Sequence, residues 1–178
     1  VGNHEAENED GSESIEEETL NYCGNSYWIK NKATLFFLIN TNDNQNTLTT
    51  AFGKILDNTT IMNGVKTIHV MGHKGCATPP NSHHPAGEIK VFCDYIKSKI
   101  PSNIKTFYTS GHNHVYSESA DKVYKQSGAG GRSHYTCGTN AAFPICNNTN
   151  YGFLLYTILQ DGTTTHKFID GNGKVLYK

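Results

Sequence analysis

The chain has 178 residues, of which 36% are hydrophobic and 17% charged, enough for one domain with a sizeable core. Its net charge is -1 and it has no basic cluster interleaved with aromatics, which speaks against a nucleic-acid partner. No apolar run approaches the ~20 residues of a membrane-spanning helix, and no leader is visible, although a chain beginning at Val1 would already have lost one.

The small net charge hides an asymmetry. Glu5, Glu7, Glu9, Asp10, Glu13, Glu16, Glu17 and Glu18 crowd the first 29 residues with no Lys or Arg among them, and the rest of the chain is mildly basic. Val1 and Gly2 read as the end of a strand, followed at once by Asn3-His4-Glu5. Taken alone, Asn3 and His4 fit a turn cap as well as they fit a site. Residues 6–18 read as an exposed acidic loop, since Asp10-Gly11-Ser12-Glu13 does not follow the calcium-loop pattern.

Tyr27–Lys30 and Ala33–Ile39 are predicted strands joined by the turn Asn31-Lys32. The second is nearly all apolar, as suits a strand covered on both faces. Thr47–Leu56 carries Leu48, Phe52, Ile55 and Leu56 at helical spacing. Lys66–Met71 is a further strand and delivers Gly72-His73, whereas His69 falls on the other phase and reads as a core or face histidine. A long irregular loop, residues 74–85, leaves that histidine. It is placed to overhang a site, and its His83 and His84 are candidates for phosphate contact, though loop histidines are usually solvated. Ala86–Ile100 is predicted to be a helix with Ile89, Phe92, Cys93, Ile96 and Ile100 on one face, Cys93 acting as a small core residue, and Pro101 ends it.

Ile104–Ser110 is a strand feeding Gly111-His112-Asn113-His114. In extended chain, histidines at i and i+2 share a side. Two neutral imidazoles converging at a strand end suit zinc, manganese or iron, while a turn with two solvated histidines is the plainer alternative. Lys122–Gln126 is a short strand candidate. The glycine turn 127–132 lacks the Gly-Lys spacing of a phosphate loop, and Arg132 within it reads as a surface charge. Tyr151–Leu159, Thr163–Ile169 and Val175–Tyr177 form a meander with turns at Asp161-Gly162 and Gly171-Asn172-Gly173. It is expected to complete a sheet and to carry no chemistry.

None of the five cysteines forms a CxxC pair, so a structural zinc site is not expected. Cys137 and Cys146 bracket a loop rich in Gly, Asn and Pro that a disulfide could close. Asn58-Thr59-Thr60 and Asn147-Asn148-Thr149 are glycosylation sequons, and together these features point to a secreted or extracellular protein.

The ordered elements Gly2-Asn3-His4-Glu5, Gly72-His73 and Gly111-His112-Asn113-His114 resemble the last three sequence blocks of the calcineurin-like metallophosphoesterase superfamily, which includes the purple acid phosphatases. The glycine turn and the terminal hairpin resemble that family's C-terminal part, so the likeness runs along nearly the whole chain. The resemblance implies an α/β fold for residues 1–178: the C-terminal half of a four-layer α/β/β/α sandwich. It implies hydrolysis of a phosphate mono- or diester at two metal ions, iron, manganese or zinc. Asn3, His73 and His112 would serve one metal and His114 the other, and His4 would contact the phosphate and assist the leaving group. The substrate would be a phosphorylated small molecule or a phosphoprotein. After His114, Val115-Tyr116-Ser117-Glu118 departs from the run usual in purple acid phosphatases.

The family's first two blocks, an Asp-x-His and a Gly-Asp-containing element, have no counterpart here. The implied ligand set is therefore all neutral and does not offset two divalent charges. Either a missing N-terminal half supplies the carboxylates, or the half-fold serves as a non-catalytic structural or assembly protein. In both cases a half-sandwich exposes an apolar sheet face that the missing half or a partner chain must cover.

Overall fold

The computed structural model describes residues 26–80, 87–131 and 133–178. Asn3, His4, Glu5, His83, His84 and Arg132 lie outside the described residues. The large sheet has seven strands in the order β1-β2-β3-β4-β6-β5-β7. They are β1 (Tyr27–Asn31), β2 (Thr34–Ile39), β3 (Thr67–Gly72), β4 (Lys105–Ser110), β5 (Tyr116–Glu118), β6 (Tyr124–Ser127) and β7 (Ile145–Asn147). β2, β3, β4 and β6 run parallel; β1, β5 and β7 pair antiparallel.

Parallel neighbours are commonly joined through helices, and two of the crossovers here use them. Helix α1 (Gln45–Leu56) and the single turn α2 (Thr59–Met62) link β2 to β3, and α3 (Lys90–Lys99) precedes β4. The Asn44 side chain caps α1 by accepting from the Asn46 N–H, and Asn58 caps α2 in the same way through Thr60 and Ile61. Alternate residues of the central strands face the helices. Leu35, Phe37, Ile68 and Val70 pack with Leu48 and Phe52 of α1 and with Phe92 and Ile96 of α3 in one core.

The opposite face of the large sheet meets a second sheet. β8 (Gly152–Ile158), β9 (Thr164–Asp170) and β10 (Val175–Tyr177) form an antiparallel meander in the order β10-β9-β8. The meander was expected to complete a sheet; it builds a separate one, because its strands pair only with one another. His69, fully buried, stacks between Phe36 and Phe107 at this inter-sheet layer and meets Tyr156 of β8 edge-on. The described residues thus give three layers, helices on sheet on sheet. On the outer side of β8, Phe153, Leu155 and Leu159 are about half exposed (54%, 44% and 55%), so the far face of the small sheet is apolar and open among the described residues.

Among the described residues, two disulfides cross-link the chain, Cys76–Cys93 and Cys137–Cys146. The second was anticipated. The first adds a bond to Cys93, which is a buried core residue as expected: its helical position brings it against the loop leaving β3, where Cys76 lies. The sequence shows no such proximity because the two cysteines are brought together only by packing α3 on the sheet.

Candidate metal centre

The site is built at the carboxyl ends of adjacent parallel strands, where open α/β sheets commonly bind ligands. β3 and β4 are in register, Gly72 opposite Ser110, so the residues that follow them emerge side by side. The Gly111 N–H donates to the His73 carbonyl (3.0 Å), which carries the pairing one step past the strands. Gly72 is required by its surroundings: a Cβ there would sit 2.6 Å from Ile39 Cγ1 and 2.7 Å from Thr41 Cγ2.

His73 and His112 meet. His112 Nδ1 lies 2.9 Å from His73 Nε2, with the ring planes at 69°. The separation is that of a hydrogen bond, a few tenths of an ångström short of the ~3.3 Å between two imidazole nitrogens each ~2.0–2.1 Å from one tetrahedral ion. His112 is buried and adopts a left-handed backbone conformation, φ 53°. For a non-glycine residue that conformation costs about 1–2 kcal/mol, and such strain collects at functional sites. The Gln126 side chain holds the turn by donating to the Gly111 carbonyl at 2.7 Å.

His114 does not lie beside His112 on one face of an extended strand, as the i, i+2 spacing predicted. The left-handed turn at His112 ends the extended chain, so the period-two argument fails there. His114 stacks on Tyr135 with centroids 4.3 Å apart, and its Nδ1 lies 3.1 Å from the Ser133 carbonyl. A carbonyl only accepts, so His114 Nδ1 donates this bond.

A residue that the sequence reading missed completes the surroundings. Glu88, between the loop leaving β3 and α3, places Oε2 3.3 Å from His112 Nε2, across the ring from His73. Burial raises the Glu88 carboxyl above its ordinary range, and the nearby Lys74 ammonium partly offsets that.

The described residues thus bring two imidazole nitrogens, those of His73 and His112, together at adjacent strand ends. Among the described residues, no group of three or more His, Cys, Asp or Glu side chains forms a cluster able to hold an ion.

No protein-family model matches the chain, and no curated protein matches it. Solved structures do. GAP50, the anchor in the inner membrane complex of Plasmodium, superposes with a TM-score of 0.56 at 17% identity, over 85% of this chain and 52% of that one. Purple acid phosphatase PPD1 from yellow lupin (Lupinus luteus) seeds superposes with a TM-score of 0.60 at 11% identity, over 85% of this chain and 31% of that one. The chain thus spans about half, or less, of the length of these structures. At such identities the likeness establishes the fold: a mixed α/β chain matching part of the purple acid phosphatase, calcineurin-like architecture.

Proposed function

We propose that this chain is the C-terminal part, residues 1–178, of a metallophosphoesterase domain that hydrolyses a phosphate mono- or diester. The observation that carries this reading is the pairing of His73 and His112 at 2.9 Å, at the ends of two adjacent parallel strands in a purple-acid-phosphatase-like sheet. His73, His112 and Asn3 would hold one metal and His114 the other. Two metals, when bound, supply an activated water and charge stabilisation for the phosphoryl oxygens. The chain's own residues orient the donors: the Ser133 carbonyl holds His114 through Nδ1, and the strained His112 turn aims Nδ1 at His73. His4 would donate a proton to the departing oxygen. The substrate class is a phosphorylated small molecule or phosphoprotein. The two disulfides fit an oxidising, non-cytosolic compartment, and no described helix is long and apolar enough to cross a membrane.

A second reading is a structural or assembly protein built on the same fold. It is favoured by the likeness to GAP50, an anchor, and by the lack of a carboxylate-bearing metal cluster among the described residues. Metal content of the purified full-length protein separates the two. About two transition metals per chain, lost in part from His112→Ala, support the enzyme. No uptake of manganese or zinc supports the structural reading. Within the enzyme reading, His4→Ala lowers turnover by about 10²-fold or more with metal content intact; loss of metal from that variant would remove His4 from its role.

A further inference from the structure

We infer that Asn58 carries an N-linked glycan and that Asn147, in the second acceptor sequence, does not. As sequence the two are alike, Asn58-Thr59-Thr60 and Asn147-Asn148-Thr149; the fold separates them. A modified Asn58 presupposes passage through an oxidising compartment, the setting that the Cys76–Cys93 and Cys137–Cys146 bonds fit. It does not depend on the metallophosphoesterase reading.

An asparagine side chain has an acceptor oxygen and an amide nitrogen with two protons. Glycosylation changes only the nitrogen. Nδ2 attacks C1 of an oligosaccharide carried on a lipid diphosphate. The Nδ2–C1 bond forms, the C1–O bond to the diphosphate breaks, and one Nδ2 proton leaves with the released lipid diphosphate. Oδ1 stays an acceptor. A side chain that acts through its oxygen therefore tolerates the sugar, and one that uses both amide protons does not.

Asn58 acts through its oxygen. Oδ1 accepts from the Thr60 N–H at 3.0 Å and the Ile61 N–H at 3.1 Å, capping α2, and Nδ2 donates to no described residue. Asn58, Thr59 and Thr60 are all exposed, where α1 gives way to α2. Bulk added there meets solvent, as a surface glycan requires. This turn precedes the first residue of β3, whereas His73 follows its last, so the glycan stands at the opposite end of the large sheet from the paired histidines.

Asn147 uses both ends. Its Oδ1 accepts from the Thr149 and Asn150 N–H groups, each at 3.0 Å. Its Nδ2 donates to Asn150 Oδ1 at 3.1 Å and to the Tyr177 hydroxyl at 3.2 Å. Asn147 is half-buried at the end of β7 and Tyr177 belongs to β10, so the second bond ties the large sheet to the small one. Tyr177 in turn stacks on Tyr116 with centroids 5.3 Å apart, against the smaller apolar core. A sugar on Nδ2 would displace one of these partners and wedge into that junction. Transfer precedes folding, so chains modified at Asn147 fail to pack and are retained.

The test uses the full chain, produced in a eukaryotic secretory host behind a cleavable leader. Secreted and retained protein are both mapped by peptide mass spectrometry after enzymatic removal of glycans, which turns each modified Asn into Asp. Asn58 is expected to be modified in both fractions, and Asn147 to be unmodified in the secreted one. Thr60→Ala breaks the acceptor sequence but keeps the cap, since Asn58 bonds only the backbone N–H groups of Thr60 and Ile61. It should lose the glycan in both fractions, whereas Thr149→Ala should leave the secreted glycan content unchanged. An unmodified Asn58 in a wild type whose cysteines are bonded overturns the assignment of Asn58 and leaves the oxidising compartment standing. An unmodified Asn58 with both cysteine pairs reduced overturns the two together. A glycan on Asn147 of the secreted protein overturns its exclusion, and one confined to retained protein supports it.

Discussion

His166 Nε2 lies 3.1 Å from both carboxylate oxygens of Glu118, joining β9 of the small sheet to β5 of the large one. Glu118 is almost fully buried and also accepts from the Tyr116 hydroxyl at 2.8 Å. Burial pushes the Glu118 carboxyl up, but the hydrogen bonds from His166 and Tyr116 outweigh it and leave the group below its ordinary value. β9 thereby supplies one half of a buried hydrogen-bond network between the sheets.

Removing a hydrogen-bond partner of a buried carboxylate leaves that group under-satisfied. His166→Ala is expected to destabilise the protein by about 3 kcal/mol in urea unfolding near neutral pH. The Glu118 contribution has the sign of a depressed carboxyl: it is complete above the unfolded value near 4.5 and fades as pH falls through the lower folded value. The stability gap between wild type and Glu118→Gln should therefore narrow on acidification below that range. A gap that widened would contradict the assignment.

His69 titrates in the opposite sense from a paired histidine. Burial, with Lys125 nearby, lowers its pKa from 6.5 to about 4, so it is neutral in the folded chain at neutral pH. Between those values the unfolded chain binds a proton that the folded chain refuses, and stability rises with pH there. Acidification from pH 6.5 to 4 is expected to cost about 3 kcal/mol through this residue. His69→Phe should flatten that part of the stability profile, which denaturant titrations at several pH values would show.

The Cys76–Cys93 bond closes a loop over a sequence separation of 17 residues. Chain-entropy arguments assign a loop of that size about 3 kcal/mol. Cys93→Ser is expected to lose stability of that order in non-reducing conditions, and wild type should lose a similar amount when reduced. Equal melting of the two proteins without reductant would show that the bond contributes nothing.

Gly128 lies where the glycine turn passes the histidine segment. A Cβ at this position would be 2.0 Å from the Asn113 carbonyl oxygen, a backbone atom between His112 and His114. Gly128→Ala is expected to cost about 2 kcal/mol as an overpacking change. If the turn positions the ligands, zinc affinity falls with it. Loss of stability without loss of zinc affinity would confine the glycine to packing.

Much of the architecture was legible because hydrophobic period and turn chemistry are local. Thr34-Leu35-Phe36-Phe37-Leu38-Ile39 could only be a covered strand, and Val175–Tyr177 appears where it was placed. Short elements escaped for the same reason: β5, β7 and α2, of three or four residues each, are too brief to show a period. α3 begins at Lys90 rather than Ala86, because Gly87 at positive φ holds the chain out of the helix before it.

By itself, the sequence determined the order of the longer strands and helices, the phase of His69, and the positions of Gly72-His73 and Gly111-His112 at strand ends. These depend on neighbours in the chain. Only the tertiary structure decided that His73 and His112 meet while His114 turns to Ser133. It also decided that Cys93 bonds Cys76, that Glu118 meets His166, and that Glu88 comes within 3.3 Å of the His112 ring. The strand register brings the first pair together, and packing of separate elements makes the other contacts. A left-handed residue at 112 cancels the one local rule that should have applied.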